Sequence, residues 1–476
     1  MSNSSMKIGA KAFVMSVVII LVLMITAGVL TLFLPSGQYD RMFVDGRTMI
    51  VPDSFRNIPK PHYPVWRWFT APAEVFAGPD AVALITLSLF LLFIGGAFTI
   101  LEHAGVIRYL LAVIVRKFAS RKYLLMAILI FTFMFLSSFL GIYEAMVPLV
   151  VFLVPLAVSL GWDSLVGLGM SFLPLAFGFA AAVTNPFTIG FAQRIAELPL
   201  FSGAWFRIIF FVIVYAAVLL YVSRYAKRIE ADPSRSLTRD DDHRVEAVDH
   251  TDQGHAGIRK ATLWFMVILI CTLVFILITS RIPSLSAIAF PVMALLFLVG
   301  GIGSGIFSGM GVKGVWKSFL HGAANLSPGI LLVAMAYSVK HIIDMGRITD
   351  TILHAAAMKI AGAPTMGAAF LVYLLTLIMN FFIGSASAKA FLMMPILTPL
   401  ADLVGITRQT AVLAFDFGDG FSNVFFPSNP LLLIALSFTV VGYPKWIRFT
   451  WKLQALMLVL TSVFLMIAVA IGFGPA

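Results

Sequence analysis

Cysteine is all but missing from this chain: Cys271 stands alone, so no disulfide can form within it and the redox compartment stays unread. Charge is scarce as well. Asp, Glu, Lys and Arg make up 12% of the 476 residues, too few to cover a soluble protein of this size. The apolar runs carry no His-Glu-x-x-His, no Gly-x-Ser-x-Gly and no paired metal-ligand motif. That argues against a membrane-embedded enzyme, a catalytic residue, a bound metal or a cofactor. Acidic residues are outnumbered, giving a net charge of +11, but much of the excess sits at the ends of apolar runs. There it sets topology, so it does not mark a nucleic-acid partner.

Apolar sequence is what the chain has in plenty. It is 60% hydrophobic, and runs of spanning length recur from end to end. This predicts an all-α polytopic membrane protein whose first partner is the lipid bilayer. The first run, Ala12–Leu34, has no small-residue cleavage site behind it and reads as a span that is kept. Lys7 and Lys11 ahead of it predict a cytoplasmic N-terminus. Residues 35–78 read as an external loop, with Trp66 and Trp68 at the interface. Arg108, Arg116, Lys117, Arg121 and Lys122 mark the inner side. The count predicts about eleven transmembrane helices plus two re-entrant hairpins, with the C-terminus outside.

One pattern occurs twice. Pro155, Gly161 and Asn185 return as Pro399, Gly405 and Asn429, all at an offset of 244 residues. This predicts two repeats, 1–226 and 261–476, joined by a polar cytoplasmic linker at 227–260. Residues 122–160 and 366–404 read as hairpins around polar tips. The alternative is two ordinary spans joined by a turn. Residues 164–198 and 407–442 read as helices interrupted at Thr184-Asn185-Pro186 and Ser428-Asn429-Pro430. Asn is a favoured N-cap and Pro a favoured first helical residue, so each helix restarts at its Asn. Counting spans runs the second repeat opposite to the first, an inverted-topology pair. Paired, Pro-interrupted segments in two apolar halves are the sequence pointer to a transporter whose site lies between the repeats.

The tips and breaks supply Ser137, Ser138, Thr184, Asn185, Ser385, Ser387, Ser428 and Asn429 as candidate substrate contacts. Each taken singly is also an ordinary helix-bonded polar residue. Charges inside apolar runs are costly and therefore informative. Lys389 follows the second tip and Glu144 the first, at nearly the same repeat position. Lys389 is read as attracting a substrate carboxylate, with Glu144 pairing with it or contacting a substrate amine; a purely structural Glu144–Lys389 ion pair is the other reading. Asp416 and Asp419 share one helical face and are candidate ligands for a coupling ion, Na⁺ or H⁺.

Asn380-Phe-Phe-Ile-Gly-Ser-Ala-Ser-Ala-Lys-Ala, the run from Met394 to Gln409 and Val412-Leu-Ala-Phe-Asp-Phe-Gly-Asp-Gly-Phe-Ser-Asn resemble the YfcC family of bacterial carriers. Leu34-Pro-Ser-Gly-Gln-Tyr-Asp, Gly95-Gly-Ala-Phe and Asn185-Pro186 resemble it too. That family is related to the anaerobic C4-dicarboxylate carrier DcuC, within the ion-transporter superfamily. The resemblance implies an inner-membrane carrier of a small organic solute, a C4-dicarboxylate, short-chain carboxylate or amino acid, driven by an ion gradient or by exchange. It further implies inverted repeats, elevator-type motion and a homodimer. Relatives named as basic amino acid antiporters supply the alternative of an arginine/ornithine exchanger, and a passive channel is the remaining non-carrier reading. The Ser-Asn-Thr motif of dicarboxylate members is only approximated at Thr184-Asn185-Pro186 and Ser428-Asn429-Pro430, which leaves the coupling ion open.

Overall fold

The structure is a computed structural model, and it describes residues 10–44, 47–242, 256–281 and 288–474. Lys7, used above to orient the N-terminus, lies outside the described residues. Helix α1 (Ala10–Phe33) leads into two short antiparallel ribbons. Strand β1 (Gly37–Gln38) pairs with β4 (Arg56–Asn57), and β2 (Arg41–Val44) with β3 (Arg47–Ile50). Then follow α2 (Arg67–Glu74), α3 (Ala81–His103), α4 (Val106–Phe118), α5 (Lys122–Leu140) and, after a 3₁₀ segment over Glu144–Leu149, α6 (Val150–Ser159). Helices α7 (Ser164–Met170), α8 (Phe172–Ala180) and α9 (Phe191–Ile195) make one interrupted run, with a π turn over Pro186–Gly190. Helix α10 (Ala204–Ala231) and the short α11 (Arg239–Asp242) complete the first half.

The second half holds α12 (Ala256–Arg281), α13 (Ala289–Phe307), α14 (Gly311–Met345), α15 (Thr349–Ala361), α16 (Thr365–Phe382) and α17 (Ala386–Val404). A second interrupted run follows: α18 (Arg408–Gly420), a 3₁₀ turn, then α19 (Pro430–Ser437). Helix α20 (Tyr443–Ala470) closes the fold. Among the described residues nine helical stretches are long and apolar enough to cross a membrane. Their exposed residues are large and hydrophobic, such as Val212, Ile270 and Val459, as lipid contact requires. This is a multi-pass, mostly helical membrane protein.

Close helix contact holds the frame. Helix α3 lies between α13 and α14. A Cβ on Gly322 would run into the Gly95 carbonyl, and one on Gly301 into the Ala97 backbone, so these positions admit nothing larger than hydrogen. A separate cluster of Ile20, Met24, Trp68, Leu332 and Val339 pins α1 and α2 to α14. The ribbons are tied down by Asp350 of α15, which accepts from the Tyr39 N–H at 2.9 Å and pairs with Arg41 at 3.0 Å.

Two boundaries differ from the sequence reading. In sequence, Ser137 and Ser138 read as part of the first polar tip. Instead α5 continues to Leu140, because the Ser137 and Ser138 hydroxyls reach sideways to another helix and leave their own helix unbroken. The turn falls at Gly141, whose φ of +70° suits glycine and whose missing Cβ makes room for the Asn185 side chain. The expected linker is also shorter at both ends, since α10 runs to Ala231 and α12 begins at Ala256. Its described part is docked: Asp242 accepts from Thr238 Oγ1 at 2.7 Å and Ser164 Oγ at 2.5 Å, and Asp241 from Lys445 Nζ at 2.8 Å.

Candidate functional site

The polar interruptions meet in one region. In the first copy α8 stops at Ala180, and Asn185 Oδ1 caps the restart by accepting from Phe187 N at 2.8 Å. In the second copy Asn429 Oδ1 accepts from Leu431 N at 3.0 Å and caps α19 in the same way. Each cap satisfies one of the free N–H groups at a helix start and leaves others available. The 3₁₀ segment after the first turn packs on α19, and α17 packs on the π turn and α9. Phe191 and Phe391 mark that second contact, their rings 5.3 Å apart. Each turn therefore touches the restarted helix of the other copy.

The polar groups of the first copy are spent on backbone. Ser137 donates to Leu175 O at 2.7 Å, Ser138 to Ala181 O at 2.6 Å and Thr184 to Phe139 O at 2.9 Å. These bonds fasten the first turn to the first break. They commit the hydroxyl protons, so a ligand there would meet backbone groups and not these donors. In the second copy Ser385 is exposed and caps α17 weakly, accepting from Ala388 N at 3.4 Å, with Ser387 half-buried beside it. The Ser428 hydroxyl is enclosed and has no partner among the described residues. Ser385 and Ser428 therefore keep bonding capacity that Ser137, Ser138 and Thr184 have used.

The charges sort differently from the sequence expectation. Lys389 is fully buried and pairs with Asp419, while also donating to Asn380 Oδ1. Its partner is not Glu144. Asn380 passes the network on, donating to Ser422 Oγ at 2.6 Å and Asn423 Oδ1 at 3.1 Å, and Asn429 Nδ2 donates to Asn423 O at 2.9 Å. The pair closes within the second copy because α17 packs on α18, and Asn380 of α16 accepts from the same ammonium. Glu144 instead is exposed, at the start of the 3₁₀ segment that follows the first turn. Tyr337 and Tyr143 lie close enough to feel its charge.

Asp416 and Asp419 do share a helical face, yet they serve different neighbours. Asp416 is 1% exposed and faces Thr188 and the Ala182 N–H of the first break, without closing a hydrogen bond to either. Arg207 stands beside it. That arginine is 2% exposed and donates to Val183 O at 3.0 Å and Ser202 O at 2.9 Å, clamping the end of the first break. Sequence reasoning missed Arg207 and Thr188. Arg207 was legible as a basic residue at the mouth of the apolar run Phe206–Ser223; Thr188 carried no signal of its own.

Comparison with known proteins gives three likenesses. The model of the DcuC family, described as C4-dicarboxylate anaerobic carrier, matches residues 13–470. The Escherichia coli K12 protein named "Putative basic amino acid antiporter YfcC" is 29% identical, with 96% of each chain covered. Among solved structures, the Alcanivorax borkumensis YdaH transporter is 20% identical, covering 98% of this chain and 100% of that one at a TM-score of 0.44.

Proposed function

We propose a function from one premise: the chain belongs to the DcuC family, the C4-dicarboxylate anaerobic carriers. It is a membrane transporter. The solute is small and bears a carboxylate, and transport is secondary, driven by an ion gradient or by exchange across the bacterial inner membrane. The two copies act as inverted-topology repeats whose hairpins re-enter the membrane, in a homodimer working by elevator-type motion. The N-terminus is cytoplasmic and the C-terminus periplasmic.

One observation supports this reading above the others: the turn of each copy packs on the restarted helix of the other, and accessible polar groups remain there. Ser385 opens the 19-residue α17, whose first N–H groups suit a carboxylate. Glu144 supplies a negative wall. A solute with a carboxylate at the first and an amine at the second fits both.

A second reading, a basic amino acid antiporter, is favoured by a specific finding. The accessible charge is Glu144, whereas Lys389 is neutralised by Asp419 and shut away from solvent. The relative named as a basic amino acid antiporter points the same way. Counterflow in proteoliposomes with succinate, aspartate, arginine and ornithine decides between them. Exchange of succinate that survives Glu144→Gln supports the dicarboxylate reading. Exchange of arginine or ornithine that Glu144→Gln stops supports the antiporter. No exchange of any of the four sinks the proposed substrate class, and failure to accumulate a moving solute against its gradient leaves a passive channel.

A further inference from the structure

Asp416 is a buried carboxylate that closes no hydrogen bond among the described residues, and the Thr188 hydroxyl beside it is fully buried and likewise without a partner there. Two unsatisfied groups facing each other inside a close-packed core are costly and call for a third participant. They belong to different copies of the repeated pattern: Asp416 to α18, Thr188 to the π turn that restarts the first interrupted helix. The groups around the carboxylate are few. Asp419 lies one turn along α18 and is occupied by Lys389; Arg207 of α10 is committed to the carbonyls of Val183, Phe201 and Ser202; Ala182 offers its N–H from the first break.

We propose that Asp416 and Thr188, with Arg207 beside them, form a proton-carrying site shared between the two copies and separate from the Lys389–Asp419 pair. This rests on the transport reading above. A proton needs no ligand but the carboxylate, and the carboxyl it forms becomes a donor to the Thr188 oxygen, which satisfies both groups at once. A metal cation fits less well. The guanidinium of Arg207 repels it, and among the described residues no group of three or more His, Cys, Asp or Glu gathers to hold one. In transport the Asp416 carboxylate takes a proton from water on one side and returns it to water on the other; no other bond changes. Because the two partners sit on different elements, a shift of the π turn relative to α18 separates Thr188 from the carboxyl and favours release. Arg207 is a positioning residue here, holding the break at the level of Asp416.

Infrared spectroscopy of the purified full-length protein tests the site without a substrate. The expected result is a protonated-carboxyl C=O band in wild type and in Glu144→Gln, absent in Asp416→Asn, displaced in Thr188→Val, and indifferent to added Na⁺. A band unchanged in Asp416→Asn, or removed by Na⁺, overturns the proposal. Should Asp416→Asn fail to fold, Thr188→Val decides alone, and an undisplaced band overturns it. In proteoliposomes, Asp416→Asn is expected to keep counterflow while losing accumulation driven by a pH gradient; loss of both equally would make Asp416 a general structural or substrate residue. If wild type moves no solute, the transport reading fails and the infrared result still stands or falls by itself.

Discussion

Lys389 and Asp419 form an ion pair that is closed to solvent, their side chains 0% and 1% exposed. A buried pair of this kind is expensive to break from one side, since the survivor is left as an uncompensated charge. Lys389→Met or Asp419→Leu alone is expected to cost about 3–5 kcal/mol, while the double replacement recovers most of the loss. Thermal unfolding in detergent, arranged as a double-mutant cycle, measures it. Additive single losses would mean that the pair does not act as a unit.

Glu144 has the opposite character. It is exposed, so Glu144→Gln is expected to leave stability within about 0.5 kcal/mol of wild type. Its effect should appear in transport alone. A melting temperature that falls as far as that of the Lys389 variant would assign Glu144 a structural role.

Gly178 and Gly418 set the distance of α8 from α5 and of α18 from α16. A Cβ on Gly178 would meet the Met134 backbone, and one on Gly418 the Tyr373 carbonyl. Alanine at either position is expected to cost about 1–3 kcal/mol through overpacking. Gly384 is the control, since an added Cβ there meets nothing, and Gly384→Ala should melt with wild type. Equal tolerance at all three positions would show that the arms give way easily.

The docked end of the linker should respond to pH. Burial pushes the Asp242 carboxyl up to about 6, ahead of the hydrogen bonds from Ser164 and Thr238 that work the other way. A folded value above the unfolded one means that the stability this group contributes is full at low pH and is lost as pH rises through about 6. The change is limited to about 1.4 kcal/mol per pH unit. Limited proteolysis after Arg235 or Arg239 should therefore run faster at about pH 7 than at about pH 5, relative to a linker peptide under the same conditions. Asp242→Asn should flatten the difference; an unchanged pH profile in that variant would assign it to another group.

Much of this was legible in the chain. The class followed from composition, and both helix restarts from the Asn-Pro dipeptides, because capping is local chemistry between a side chain and an N–H two residues on. The first turn was read too early because Ser137 and Ser138 look like loop residues in sequence. Their hydroxyls satisfy carbonyls of another segment, at Leu175 and Ala181, and nothing near them in the chain announces those acceptors.

The sequence by itself determined a multi-pass helical membrane protein of a carrier family, with two interrupted helices and a handful of charges that had to find partners. Tertiary structure alone decided which partners. The repeated sequence pattern aligns Glu144 with Lys389, but positions that match in a pattern need not touch. Helix α17 lies against α18, and that packing gives Lys389 to Asp419, while α18 also turns Asp416 toward Thr188 and Glu144 is left open. Which side chain meets which depends on how helices far apart in the chain are rotated and stacked, and no periodicity within a single helix contains that information.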